Sequence, residues 1–388
     1  MSAREYILLI DDDPDVTDGL ALLLERRGRT VIVCADVESA ELMLSRFPVT
    51  HIVTDVQFSG SFGFEGLHFL ERMRSIRSTC RFVLMTGYVS DALRAAARAL
   101  GVEAVLAKPF TYEELDRALA SETLDDEPYQ VVVVPDLDSI LQGDLLSTVF
   151  QLIVSVGTDG MQPFGFEALS RVRGDWPGGG PTELFDYAAR LGRLPELNLA
   201  AIECALGKAD RLPEGTTLFI NADPVVFLDP DLSLRLHVAA AANAFPLARL
   251  VLEITERSGF SDDIRRLQVF EELRADGVRF ALDDHGSAFS HLSSIDIIRP
   301  SFIKISQRFG TAFESDATRE HVVHHVAALA RDFGCRPVLE GIESLSTALA
   351  AEAQGIELLQ GFHFGRPTSF PDRRGAVAES MYVSGTVA

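Results

Sequence analysis

Basic residues are scarce in this chain. Its 388 residues carry 35 Lys+Arg against 57 Asp+Glu, a formal net charge of −22 at pH 7. A protein that coats nucleic acid wants a basic face, so a general DNA- or RNA-coating role is excluded. A nucleotide substrate is not excluded, because bound cations reverse the sign of an acidic pocket locally. Cysteine is also scarce. Cys34, Cys80, Cys204 and Cys335 lie far apart and form no CxxC pair, which reads as reduced, mostly buried thiols. No apolar run approaches the roughly 18 residues that a membrane helix needs. The first apolar run, Tyr6 to Ile10, meets Asp11, Asp12 and Asp13 at once. It is expected to be a strand ending in an acidic site and not a signal peptide. The expectation is therefore a cytoplasmic protein with neither DNA nor a membrane as partner.

The composition is 47% apolar and 24% charged, ordinary for globular domains. At ~150 residues per domain the length suggests two or three of them. Residues 1–122 alternate between short β-branched runs (5–10, 31–34, 51–56, 81–85 and 104–107) and stretches with apolar residues at three- and four-residue spacing. Five such β–α units predict a doubly wound, five-stranded parallel sheet of the flavodoxin-like kind. Residues 123–137 begin with an acidic, Pro-containing stretch and are expected as a linker. Within it, Val131–Val134 reads equally as a short strand or as packed linker. From 138 onward the alternation resumes, with strand candidates at 150–156, 165–172, 217–222, 249–255, 278–284, 302–306, 336–341 and 357–362. Eight strands, mostly alternating with helical patterns such as 184–208, 262–276 and 318–333, predict a TIM-type (βα)8 barrel over 138–388. Only Gly157–Phe164 separates the first two strands. That is too short for a crossover helix, so these two are expected to be antiparallel.

In a doubly wound sheet the carboxyl ends of the central strands face one crevice. The first strand ends at Asp11 and Asp12, the third at Asp55, the fourth at Thr86 and the fifth at Lys108-Pro109. Three converging carboxylates call for a hard divalent cation such as Mg2+. A hydroxyl and an ammonium beside them suit a phosphoryl group carried on one carboxylate, with Asp55 the natural acceptor. A single strand-end carboxylate is more often a helix cap; five such residues in the right strand order are hard to reach by chance. With IDDDP at 10–14, TD at 54–55, TG at 86–87 and AKPF at 107–110, this stretch resembles the receiver domain of two-component response regulators. The resemblance implies phosphorylation of Asp55 by a cognate sensor histidine kinase. It also implies one cation held by Asp11, Asp12 and Asp55, and a switch made of Thr86 and Lys108. Two departures bear on that switch. Val105 stands where the family often has an aromatic residue, and the loop after Asp55 is about three residues longer than the common form.

In the barrel region, polar residues sit at or near strand ends: Glu167, Asn221, Glu253, Glu256, Asp283, Asp284, Lys304, Glu340 and Gln360. Barrel active sites lie at this carboxyl-end face. So many oxygens around one mouth call for divalent cations, Mg2+ or Mn2+, and two of them suit phosphodiester hydrolysis. Inward-facing salt bridges account for any one of these residues more easily than for the whole set.

Here the chain resembles the EAL family of cyclic di-GMP phosphodiesterases. The resemblance rests on Glu167-Ala168-Leu169, FQLIV at 150–154, LEITE at 252–256, LDDHG at 282–286, IKIS at 303–306, LEGIE at 339–343 and QGFHFGRP at 360–367. It implies that Glu167, Asn221, Glu253 and Asp283 hold a first metal. Asp283, Asp284 and Glu340 would hold a second. Lys304 would contact the catalytic water, Gln360 would lie near the second metal, and Glu256 would brace the loop after the fifth barrel strand. Gln151, Arg171 and Glu343 match substrate-binding positions. The implied reaction cuts one phosphodiester bond of cyclic di-GMP to give linear pGpG, and the implied assembly is a homo-oligomer, a dimer or higher. The departures fall at 283–292, where His285 and Ala288 replace the family's phenylalanine and a flexible glycine. They motivate a rival expectation: a catalytically weak or inactive cyclic di-GMP receptor that signals through contacts. A scaffold using neither nucleotide nor metal is a third. His321, His324 and His325 share a predicted helix and read as a solvated or interface face, not as a metal site.

Overall fold

The computed structural model describes residues 4–24, 28–56, 65–76, 80–87, 89, 91–119, 130–142, 145–157, 160–173, 176, 180–254, 264–285, 295 and 297–369. They divide into two compact units, Met1–Leu145 with Val172–Arg193, and Leu146–Arg171 with Leu194–Ala388.

The first unit is built on a parallel sheet. Its strands are β1 (Glu5–Ile10), β2 (Arg29–Cys34), β3 (His51–Asp55), β4 (Arg81–Thr86), β5 (Ala104–Ala107) and β6 (Gln130–Val133), in the order β5-β4-β3-β1-β2-β6. Central strands such as EYILLI are buried on both faces, as a parallel sheet covered by helices requires. The sheet has six strands, one more than the expected five. Val131–Val133 pairs in register with Val31–Val33 of β2, which settles the open reading of this run in favour of a strand. Asp13 caps the helix Pro14–Leu23, and a proline at its first position pre-sets the backbone. Asp36 likewise caps the helix Val37–Arg46 through Oδ1, to the Ser39 N–H at 2.7 Å. Its Oδ2 accepts a 2.6 Å hydrogen bond from the buried hydroxyl of Tyr187, on the helix Pro181–Arg190.

The second unit is a closed barrel of β7 (Leu146–Gly157), β8 (Gly160–Val172), β9 (Thr217–Ala222), β10 (Leu250–Ile254), β11 (Arg279–His285), β12 (Phe302–Ile305), β13 (Arg336–Leu339) and β14 (Leu358–Gln360). β7 runs antiparallel to β14, while β8 runs parallel to β9. One strand is thus reversed, as the short connection after it predicts. The strands reach to Gly157 and restart at Gly160, so the hairpin is tighter than the eight-residue gap expected. The helical pattern expected over 184–208 is two helices, Pro181–Arg190 and Leu194–Leu206. Gly192 breaks it in the left-handed region (φ 70°), a conformation that glycine adopts without a Cβ penalty.

Strand periodicity positions the site. The barrel interior is filled by Ile153, Phe219, Val251, Ala281, Phe302, Val338 and Leu358, one from each of seven strands. Side chains two residues apart on a strand face the same side. Two steps toward the carboxyl ends of β9 to β14, that face therefore carries Asn221, Glu253, Asp283, Lys304, Glu340 and Gln360. On the reversed β7, two steps the other way from Ile153 lead to Gln151. The polar ring is the next layer of the same barrel core, placed where barrel strands open to solvent.

Candidate active site

Lys304 lies at the centre of this layer with 1% of its side chain exposed. Its Nζ is 2.7 Å from Glu340 Oε1, 3.0 Å from Glu253 Oε1, 3.3 Å from Glu167 Oε2 and 3.5 Å from Asp283 Oδ1. Burial alone would lower the lysine's pKa, but the four carboxylates outweigh it and hold the ammonium charged, well above the usual range. The carboxylates respond differently. Burial would raise Glu167, yet the Lys304 charge and hydrogen bonds from Gln360 (2.6 Å) and Asn221 (3.1 Å) hold it below the usual carboxylate range. Burial pushes Glu253 well above that range, against the Lys304 attraction and with help from Glu167, Asp283 and Glu340. Glu340 is pushed up to about 7 by burial, partly offset by Lys304 and reinforced by Asp283 and Glu167. Gln360 also donates to Gln151 Oε1 at 3.1 Å, tying the reversed strand into the layer.

Gln151, Glu167, Asp283, Glu340, Glu343 and Gln360 line one cleft, together with Gln307, Gly341, Gly361 and Phe362. The last four were not singled out from the sequence. Gln307 and Phe362 each lie just beyond a barrel strand, a position that itself marks a barrel's working face. Gly341 adopts φ 75°, and a Cβ there would meet the Gln307 Cα at 2.9 Å, so the backbone turn behind Glu340 needs glycine. Arg171 lies four residues beyond Glu167 on β8 and donates to the Ser170 carbonyl at 2.7 Å. Glu256 lies outside the described residues, as do 286–292 of the altered loop; the side chain of Asp284 is likewise outside the description. His321, His324 and His325 are exposed on the helix Ala317–Asp332.

The donor set suits hard dications: four carboxylates and a carboxamide in one buried layer. Neither Glu253 oxygen accepts a hydrogen bond from a described residue, although this side chain is 0% exposed. Oε1 faces the Lys304 ammonium at 3.0 Å; buried carboxylate oxygens are normally satisfied, so Oε2 marks a place for a cation. As they stand, no three His, Cys, Asp or Glu side chains among the described residues are grouped to hold an ion.

The first unit carries a smaller cluster. Asp11, 2% exposed, and Asp55 end β1 and β3, and Lys108 Nζ bridges them at 2.6 Å to Asp11 Oδ2 and 2.6 Å to Asp55 Oδ2. Burial raises the Asp11 pKa against the opposing effect of Lys108. The two carboxylates raise that of Lys108 despite its own burial. Thr86 ends β4 and is buried; its carbonyl accepts the Lys108 backbone N–H at 2.7 Å. Asp12 is half-buried beside them. At Gly66 a Cβ would collide with the Asp55 carbonyl, so the phosphoacceptor candidate sits against bare backbone.

Fold and site define a class: an eight-stranded barrel with one reversed strand and a carboxylate-lined mouth, with a receiver-type parallel sheet in the same chain. Residues 136–367 match the EAL domain model and residues 7–120 the response regulator receiver domain model. The chain belongs to the EAL domain family and carries a receiver domain. It is 26% identical over 379 residues to the cyclic di-GMP phosphodiesterase RocR of Pseudomonas aeruginosa, covering 93% of this chain and 95% of RocR. It is 33% identical over 130 residues to the probable cyclic di-GMP phosphodiesterase PdeD of Escherichia coli, and 30% over 207 residues to an uncharacterized signaling protein of Caulobacter vibrioides. Those stretches cover 34% and 52% of this chain, and the chain spans only about a quarter of the length of either relative (24% and 25%). Among solved structures it resembles the manganese and cyclic di-GMP complex of BlrP1 from Klebsiella pneumoniae. That match has 29% identity and a TM-score of 0.51, and covers 59% of this chain and 57% of that one. It also resembles the PaMucR phosphodiesterase in complex with c-di-GMP, with 25% identity and a TM-score of 0.53, covering 60% of this chain and 96% of that one. No described helix is long and apolar enough to cross a membrane.

Proposed function

We propose that the chain hydrolyses cyclic di-GMP to linear pGpG at the barrel mouth, under control of phosphorylation at Asp55 by a sensor histidine kinase. Residues 1–122 would be the receiver, 123–137 the linker and 138–388 the phosphodiesterase. The observation that carries this reading is the single layer of Glu167, Asn221, Glu253, Asp283, Lys304, Glu340 and Gln360 on consecutive barrel strands. Glu167, Asn221, Glu253 and Asp283 would hold one Mg2+ or Mn2+, and Asp283, Asp284 and Glu340 a second. Such cations supply Lewis acidity toward water and the scissile phosphate. The chain's own groups do the rest. Lys304 presents an ammonium that can donate to the attacking water and offset charge developing on the phosphate. Gln360 and Asn221 hold Glu167 ionised and fixed in orientation. Gln151 and Glu343 line the cleft that would take the nucleotide, and the Arg171 guanidinium suits its phosphates. In the receiver, Asp55 would accept the phosphoryl group, Asp11 and Asp12 would share its cation, and Lys108 and Thr86 would sense it. The homo-oligomer expected from the family belongs to the same proposal.

The test is turnover. The purified chain with Mg2+ or Mn2+ should convert cyclic di-GMP to pGpG, and the acyl-phosphate mimic beryllofluoride should change that rate in the wild type but not in Asp55→Asn. No turnover with either metal, with or without beryllofluoride, ends the hydrolase reading. Calorimetric binding of intact nucleotide in that case leaves the receptor reading.

A further inference from the structure

Lys304 does more than stand beside the reaction. Its ammonium lies within 3.5 Å of four carboxylates contributed by four different strand ends, and it is itself 1% exposed. Among the described residues no other cation pairs with Glu253 or Glu340. Four carboxyl groups surround one ammonium, and crowding with burial already pushes Glu253 and Glu340 toward their neutral forms. A buried carboxylate without a partner costs several kcal/mol. Lys304 also stands among the very oxygens that would ligate cations.

We infer that Lys304 is the resident counter-ion of the metal-free barrel, holding the carboxylate cage together until dications enter and displace its ammonium from Glu253 and Glu167. This inference rests on the proposed metal-dependent site and deepens it, by assigning one residue both to folding without metal and to competition with metal. A positive charge that must yield its place opposes cation entry. Its removal should leave a cage that folds poorly alone but takes up metal more readily. Lysine as a donor to the catalytic water alone would change neither.

The experiment compares melting temperature and Mn2+ affinity at pH 8 in the full chain, for wild type, Lys304→Gln and the double variant Lys304→Gln/Glu167→Gln. In EDTA, Lys304→Gln should melt roughly 10 °C below wild type in the barrel transition. Mn2+ should raise its melting temperature by more than it raises that of wild type, and calorimetry should show Mn2+ binding about tenfold tighter, the size expected for one removed like charge at short range. The double variant, which removes one negative charge with the positive one, should regain much of the loss in EDTA. If Lys304→Gln melts with wild type in EDTA, or if Mn2+ stabilises it no more than wild type, the inference fails. Should Lys304→Gln not fold, a double variant that is equally unfolded also overturns it, because charge balance then does not restore the cage. Failure of the underlying function reads differently: wild type itself would show no Mn2+ binding.

Discussion

Each unit holds acidic side chains around one lysine, and the two clusters differ in balance and depth. In the receiver, Lys108 faces two carboxylates and is 24% exposed. In the barrel, Lys304 faces four and is 1% exposed. The first is nearer to balance and partly open to solvent through Lys108 and Asp55, suited to a phosphoryl group that arrives and leaves. The second is strongly unbalanced and shut in, suited to cations that stay. Two acidic sites legible from the same residue types thus imply different chemistry once burial is known. Burial sets how much each uncompensated charge costs.

The largest test of this contrast is removal of a barrel carboxylate. Glu167→Gln keeps the shape and loses the charge that Gln360, Asn221 and Lys304 hold ionised. Hydrolysis of cyclic di-GMP should fall on the order of a thousandfold, the several kcal/mol that a bound dication contributes. Metal chelation should do at least as much in wild type. Steady-state rates in Mn2+ check it. A loss of less than tenfold would mean that the deeper cluster is no more than structural.

A pH ramp on the metal-free chain comes next. Glu340 is pushed up to about 7 from an ordinary 4.5. The folded chain therefore keeps this proton where the unfolded chain has lost it. This group's contribution to stability is therefore full below pH 4.5 and is lost as pH rises to about 7, by roughly 3 kcal/mol. Unfolding of the barrel in EDTA between pH 5 and pH 8 reads the slope, and Mn2+ should flatten it. The receiver cluster, with its counter-ion in near balance, should show no comparable loss over the same range. A flat barrel profile without metal would break the comparison.

How far the sequence led follows the same physics. The ring of polar residues could be found because strand alternation forces every second residue to one face, and an acidic residue in a buried strand position stands out. The reversed strand was legible from a connection too short for a helix. The sixth sheet strand stayed open because four valines are equally good as packed linker or strand; only pairing with Val31–Val33 decides, and that is a long-range event. The break at Gly192 was missed because apolar spacing ran through it. Gln307 was missed because it carries no charge against its surroundings, and Phe362, though inside QGFHFGRP, was given no role for the same reason. Least legible was the central place of Lys304. Spacing puts a lysine in the layer, but side-chain reach and the closure of the barrel put its ammonium among four carboxylates.

The smallest expected effect sharpens the contrast from the receiver side. Lys108→Met removes the bridge between Asp11, which is buried, and Asp55, which keeps partial access to water. Two charged hydrogen bonds of this kind contribute about 1.5–3 kcal/mol each when buried. Partial exposure and screening reduce that, so the first unit should lose roughly 1–2 kcal/mol in urea unfolding. That is less than Lys304→Gln costs the barrel. The variant should also lose its response to beryllofluoride, while its basal hydrolysis in Mn2+ stays within about twofold of wild type, since a receiver side chain takes no part in the barrel's chemistry. An equal stability loss for the two lysines would mean that burial does not separate the clusters, and the distinction between a site built for exchange and one built for retention would go with it.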